Sequence, residues 1–442
     1  MAGGIFTSQN KVRPGAYINF KAISRPSMSI GSRGIVTMAL PMSWGAEEEL
    51  VEVLSTDILD GKCLPKIGYY GTDSEAQIIR EALRNSHTLL LFRLKANNAV
   101  SATGTDNNLT VVAKYTGIVG NQLKVSVEAK GSDFEVKTFL RNELVDTQIA
   151  KVVEELKENA YVRFNGAGAL QATAGFPLEN GADGTVQDSA YTRYFDKIKT
   201  RKFNTMGLPF VTTEPLKENA LAVVKDLREN KGRKVQVVLD DYIKGNYEGV
   251  ISTAGQGYAT EVEEVSKEAF VAYVAGLTAG TEVNISNTYH EIVGAVRIIN
   301  ELTDEQIEDS LIAGKIVLSY RIDEAVVIER DINTLTSYSE DTNEVFSKNR
   351  VIRTLDEINN TVSTTYQANY IGKVNNDDAG RASFKADVIS YLTSLQTIGA
   401  IKDFNSQDVE VLQGDSIDSV VCNLAITPND AMEKLYMTVT IN

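Results

Sequence analysis

Two cysteines and two histidines in 442 residues leave little from which to build a metal centre, a disulfide framework or a histidine-dependent active site. Cys63 and Cys422 stand far apart, so both thiols are expected to be reduced, as in a cytosolic product. His87 and His290 have no zinc-ligand spacing around them and read as structural residues. Nucleophilic catalysis needs a base held beside the nucleophile, yet there is no G-x-S-x-G elbow and no legible Ser/His/Asp arrangement. Phosphate loops are missing as well. "GQGYAT" (Gly255 to Thr260) and "GAGALQ" (Gly166 to Gln171) lack the third glycine of a dinucleotide fingerprint, and no G-x-x-x-x-G-K-[ST] occurs. "VQVVLDD" therefore reads as a strand whose Asp240 and Asp241 cap a turn, and "NNDDAG" (Asn375 to Gly380), without the alternating ligands of a calcium loop, as a turn capping the next helix. No run of 18 apolar residues exists, so no membrane span is expected, and the opening "MAGGIFTSQNKVRPG" lacks the apolar core of a secretory leader. Positive charge is in the minority: 44 Lys and Arg against 59 Asp and Glu give a net charge of −15, which argues against a nucleic-acid partner. No metal or cofactor is expected.

What is there is a well-patterned globular chain, 43% apolar with only 8 prolines, long enough for roughly three domains. "GIVTMAL" reads as a strand, "AEEELVEVLS" and "SEAQIIREALRNS" as helices, and "TLLLFRL" as a buried strand. Between about Ala96 and Gly184 the grammar changes to short alternating strands, interrupted by one expected acidic helix, "VVEELKEN". This is a β-rich module inserted into an α/β layer. Strand–helix alternation then resumes through "MGLPFV", "EPLKENALAVVKDLRENKG" with Gly232 closing it, "KVQVVLDDY" and "SKEAFVAYVAGLTAG" with Ser266 as N-cap. In "LTDEQIEDSLIAG", Thr303 and Gln306 fit a capping box and Gly314 a C-terminal stop. Two amphipathic helices dominate the last hundred residues, one with Val351, Leu355, Ile358 and Val362 on a face, the other with Phe384, Val388, Leu395 and Ile398.

Both ends carry strand patterns. Ala16, Ile18 and Phe20 alternate with Tyr17 and Asn19. At the other end Leu435, Met437, Val439 and Ile441 form an apolar face opposite Tyr436, Thr438 and Thr440. A terminal strand without a partner is an aggregation hazard, so something must pair with it.

Five segments in order resemble contractile phage tail sheath proteins of the Gram-positive type, which phage-tail-like bacteriocins also use. They are "RPGAYINF", "AFVAYVAGLTAGTEVNISNTYHEIVGA" (Ala269 to Ala295), "LTDEQIEDSLIAGKIVL" with "VVIERDINTLTSYS", "FSKNRVIRTLDEINNTV", and "GKVNNDDAGRASFKADVISYLTSLQTIGAI". The resemblance covers roughly Asp188 to Asn442 and the N-terminal stretch. It implies an α/β multidomain fold: an arm strand over 1–22, the first part of the α/β domain over 23–95, an inserted β-sandwich over 96–184, a central α/β domain over 185–338, an α+β C-terminal domain over 339–432 and a second arm strand over 433–442. The central domain would share the subtilisin fold without its catalytic triad, so the similarity carries architecture and no enzymatic activity.

The resemblance further implies a virion or tail-like particle component assembled in the host cytoplasm. It would polymerise helically around an inner tube protein and meet baseplate and tail terminator proteins. The terminal strands Ala16, Tyr17, Ile18, Asn19 and Phe20, and Leu435, Tyr436, Met437, Thr438, Val439, Thr440 and Ile441, would be donated to neighbouring subunits. Lys373, Arg381 and Lys385 are candidates to face the tube. The competing expectation is an α/β enzyme or nucleotide-binding protein with an unrecognised site.

Overall fold

The computed structural model describes residues 28–441, together with the backbone of Gly3–Gly4 and Ala16–Tyr17. The chain divides into two compact units, Ser32–Asn360 with Pro428–Asn442, and Met1–Gly31 with Thr361–Thr427.

The larger unit is organised by a seven-stranded sheet. Its spatial order is Lys315–Ile316, Val250–Thr253, Gln236–Asp240, Thr205–Gly207, Ile35–Leu40, Thr88–Arg93 and Leu50–Leu54. All neighbours are parallel except the last pair, which is antiparallel. Strands such as Gln236–Asp240 are buried on both faces, which is why they read as unbroken apolar runs. The two faces feed separate cores. Val36, Met38, Leu89 and Leu91 pack with the helix Lys267–Gly280, which is buried from Ala269 to Ala279, while Ala39, Phe92, Val237 and Leu239 pack with Tyr194, Phe195, Leu216 and Val224. Ser266 Oγ accepts from Ala269 N–H (3.2 Å) as the expected N-cap, and Thr303 with Gln306 forms the capping box of Asp304–Ile312.

Two expected helices are absent. "AEEELVEVLS" forms the edge strand Leu50–Leu54, because Leu50 to Leu54 can close an antiparallel ladder on Thr88–Arg93. "VVEELKEN" forms only a single turn, Val153–Glu155, then runs irregular. Eight residues are too short to hold a helix by propensity, and Val153 and Leu156 are instead pinned into the core.

The inserted module is two facing antiparallel sheets. One has the order Glu143–Ala150, Asp133–Leu140, Leu123–Lys130, Thr173–Pro177; the other Val162–Gly166, Leu109–Ala113, Thr103–Asp106. Arg141 and Asn142, with φ of 51° and 69°, make the two-residue turn whose twist suits a hairpin. The pairing of Ala96–Asn97 with Thr185–Val186 closes the stem of the insertion. Trp44 of the α/β layer, fully buried, meets Tyr115 edge-on (5.1 Å) and stacks near Tyr161 (6.3 Å), and the Arg93 guanidinium donates to Thr116 O (2.9 Å). The module is thus packed onto the layer, not tethered to it.

The smaller unit is built on residues 361–369 of the helix Asn349–Asn369, the helix Asp378–Thr397 and the antiparallel hairpin Val409–Gln413 with Val420–Leu424. Phe384, Val388, Tyr391, Leu392 and Leu395 are buried, whereas Ile398, expected on the same face, is 37% exposed. Asp377 accepts from Gly380 N–H (2.8 Å), so "NNDDAG" is the helix-capping turn that its residues indicate.

In the larger unit, residues 349–358 are buried almost all round, and they include Asn349, Arg353, Asp356 and Glu357. The single apolar stripe expected there is therefore an enclosed helix with paired charges, and Leu355 is its partly exposed position among the apolar ones.

His290 is half-buried, with Nε2 3.1 Å from the Tyr273 hydroxyl. Burial pushes its pKa below the ordinary value, helped by Arg84, although Asp331 and Glu291 pull the other way. A histidine depressed in the fold is protonated more readily in the unfolded chain. Its contribution to stability is therefore complete above pH about 6.5 and falls as the pH drops below that value. Chemical unfolding between pH 7.5 and 5.5 should show this decline, and His290→Gln should flatten it.

Candidate functional site

The chemistry-bearing residues of the sequence are committed to structure. Asp240 accepts from Thr253 Oγ1 (2.8 Å), Gly255 N–H (2.9 Å) and Lys267 Nζ (2.9 Å), fastening the turn after its strand. Asp241 pairs with Lys315. His87 Nδ1 sits 2.7 Å from Thr88 Oγ1. Among the described residues no group of three His, Cys, Asp or Glu could hold a metal ion.

The unusual feature is the last stretch of chain. Residues 434–441 carry no strand pairing, and Leu435, Met437, Val439 and Ile441 are 85%, 75%, 70% and 91% exposed. The opposite face is equally open, with Tyr436 at 88%. An amphipathic period-two segment thus leaves its apolar face in water. Nothing in local preference does this; the segment is patterned for a partner strand that its own chain does not supply among the described residues.

The root of this segment, by contrast, is held. Glu433 accepts from Thr288 Oγ1 (3.0 Å), is hydrogen-bonded by Lys348 Nζ, and lies 3.4 Å from Arg330 Nε. Asp430 adds a second carboxylate 3.6 Å from Lys348. Burial by itself would raise the Glu433 pKa; the Lys348 hydrogen bond and the charges of Lys348 and Arg330 outweigh it and hold the carboxyl below the ordinary glutamate range. No sequence signal marks this contact, because Thr288, Arg330 and Lys348 are remote in the chain.

In the smaller unit, the hairpin Val409–Gln413/Val420–Leu424 forms a two-stranded sheet, and neither outer edge is paired with another strand among the described residues. Its register places Val409 with Leu424 and Val411 with Cys422 on one face. Beside it lies a groove of about 640 Å³ lined by Tyr366, Tyr370, Phe384, Ile417 and Val420. Two strands alone are marginal in water, and this pair packs against the helix Asp378–Thr397.

Ala16 and Tyr17 pair in parallel with Gly3 and Gly4; Ile18, Asn19 and Phe20 lie outside the described residues. Of the three candidate cations, Lys373 is exposed and donates to Ala368 O, Lys385 is half-buried, and Arg381 donates to Asn376 O (3.2 Å) and Oδ1 (2.9 Å). Arg381 thus braces the capping turn.

Comparison with known proteins covers the chain almost end to end. The family model described as "Phage tail sheath C-terminal domain" matches residues 341–442, "Phage tail sheath protein central domain" 184–334, "Phage tail sheath protein beta-sandwich domain" 95–183, and "Tail sheath protein Gp18 domain III N-terminal region" 33–94. A sheath tail protein from Desulfitobacterium hafniense is 39% identical, with 97% of this chain and 100% of that one covered and a TM-score of 0.84. The phage-like element PBSX protein XkdK of Bacillus subtilis is 31% identical over 100% of both chains. The helical sheath of the anti-feeding prophage in its contracted state shares the fold at 13% identity, with a TM-score of 0.57 over 97% of this chain and 99% of that one.

Proposed function

The chain belongs to the phage tail sheath family, and from that premise we propose that it is the repeating subunit of a contractile sleeve. Subunits polymerise helically around an inner tube, between a baseplate and a tail terminator, in a phage tail or tail-like particle put together in the host cytoplasm. The role is structural. The central sheet serves as a subtilisin-like scaffold without a triad, and no catalytic step is assigned to it. Contraction moves domains as bodies, draws its energy from new contacts between subunits rather than nucleotide hydrolysis, and keeps the mesh whole through the terminal strands. Lys373, Arg381 and Lys385 are the cations offered to the tube surface.

The observation that carries this reading is the exposed apolar face Leu435–Ile441 on a chain that also holds an open-edged hairpin. A strand from a second copy, added to that hairpin, satisfies its edge N–H and C=O groups and buries Leu435, Met437, Val439 and Ile441. About six hydrogen bonds at roughly 0.5–1.5 kcal/mol each give several kcal/mol per joint before side-chain burial. Repetition around rings and along the tube turns a modest joint into a strong mesh. We assign the same part to the N-terminal residues Ala16–Phe20.

Cys422 tests this directly. It lies half-buried on the hairpin, its thiol pushed up by burial, while Cys63 is fully buried. In assembled Met437→Cys subunits, a short bis-maleimide should join Cys422 of one copy to the thiol introduced at position 437 of the next and give a ladder on denaturing gels. Cross-linked monomer without a ladder would mean that the strand folds back on its own chain, and would overturn donation.

A further inference from the structure

The root of the C-terminal segment is fastened by more than one salt bridge, and the fastening is continuous with the buried polar network of the larger unit. Glu433 Oε1 accepts from Thr288 Oγ1; that same hydroxyl accepts from Asp331 N–H (3.0 Å). The Asp331 carboxylate in turn takes hydrogen bonds from Asn287 N–H (2.9 Å), Asn349 Nδ2 (3.0 Å) and Arg353 Nη2 (2.8 Å). Lys348, a second partner of Glu433 beside Arg330, immediately precedes the helix Asn349–Asn369. Asp331 is 2% exposed and Arg353 1%. Glu433 is held between exposed neighbours, Met432 on one side and Lys434 to Ile441 on the other.

We propose that Glu433 is a latch: with Lys348, Arg330 and Thr288 it clamps the root of the C-terminal arm to its own subunit, so that pull on an engaged arm is delivered to the head of the helix Asn349–Asn369 and its buried network. The proposal rests on the sheath reading for the pull, but not for the clamp. Charge-assisted hydrogen bonds in partly buried sites are short and strong, and here an ammonium, a guanidinium and a hydroxyl converge on one carboxylate. An arm whose root slides transmits no displacement to the body of the subunit. An arm clamped at Glu433 has its free length set at the residues that follow. Glu433 acts here as a positioning residue, because the groups it holds are those of its own subunit.

The test separates clamp from pull. Lys348→Met and Thr288→Val remove latch partners while leaving the sequence around Lys434 untouched. In unassembled subunits, cleavage after Lys434 by a lysine-specific protease should quicken about tenfold in Lys348→Met, as expected for loss of a charged hydrogen bond, with the melting temperature of the subunit little changed. Glu433→Gln, which keeps a hydrogen-bonding group but no charge, should fall between Lys348→Met and wild type once corrected with a free peptide of each sequence. Unchanged cleavage in all three variants overturns the latch. Quickened cleavage with sheaths that assemble, contract and resist shear like wild type overturns the transmission of pull. Failure of the unaltered chain to form tubes at all would count against the sheath reading, and the protease result on free subunits would still decide the clamp.

Discussion

A chain ending at Lys434 should remain as discrete particles under conditions in which the full chain forms hollow striated tubes in negative-stain electron microscopy. The cut removes Leu435 to Asn442 and spares Glu433, so the root contacts stay intact and any loss belongs to the strand itself. Since that segment makes no strand pairing and is almost wholly exposed, removing it takes nothing from the subunit's own core, and the folded subunit should keep its melting temperature within a few degrees. Losing several kcal/mol at every joint multiplies along a mesh, so the expected effect on assembly is all or nothing rather than graded. Face-specific substitutions sharpen the result. Val439→Lys puts a charge on the face meant for burial and should block tubes as the truncation does; Thr438→Lys, one residue away on the opposite face, should be tolerated. Tubes of normal length from both the truncated chain and Val439→Lys would remove the strand from the assembly mechanism.

Arg228→Ala should destabilise the larger unit by about 3–5 kcal/mol, the range for breaking a buried ion pair from one side. Arg228 is 3% exposed and makes 2.7 Å and 3.3 Å contacts with Asp356 and Glu248, and it donates to Val235 O (3.0 Å). Burial works against its charge, and the carboxylates of Asp356 and Glu248 more than compensate, raising its pKa. Truncation leaves Asp356, itself 6% exposed, as an uncompensated buried charge facing an orphaned carbonyl. The double substitution Arg228→Met with Asp356→Leu should recover most of the loss, because the penalty lies in the unpaired charge and not in the missing attraction. Urea unfolding of both variants beside the wild type measures both effects. A loss under about 1 kcal/mol in Arg228→Ala would show that water reaches Asp356.

Much of the architecture was legible because its signals are local. Runs such as "TLLLFRL" and "VQVVLD" are strands because parallel strands buried on both faces need apolar residues throughout. Ser266, Thr303 with Gln306, and Asp377 announce helix starts through hydrogen bonds that span three residues. Where partners are distant, reading failed. "AEEELVEVLS" has enough helix formers to pass as a helix, and only the free edge of Thr88–Arg93 makes it a strand. The charges of residues 349–358 look like a solvated face, yet they are buried because Arg228 and Asp331 arrive from elsewhere in the chain to neutralise them.

The same division runs through the site. The sequence by itself determined that Leu435 to Ile441 carries a strand pattern with one apolar face, since period two is written into seven residues and needs no fold to express it. Tertiary structure alone decided that this strand finds no partner in its own chain among the described residues, that the hairpin at Val409–Leu424 has unpaired edges there, and that Glu433 holds the root against Lys348, Arg330 and Thr288. Whether a hydrogen-bonding edge is filled, or a charge paired, depends on which groups the folded chain brings within about 3 Å of it, and residues far apart in the chain carry no linear trace of that meeting.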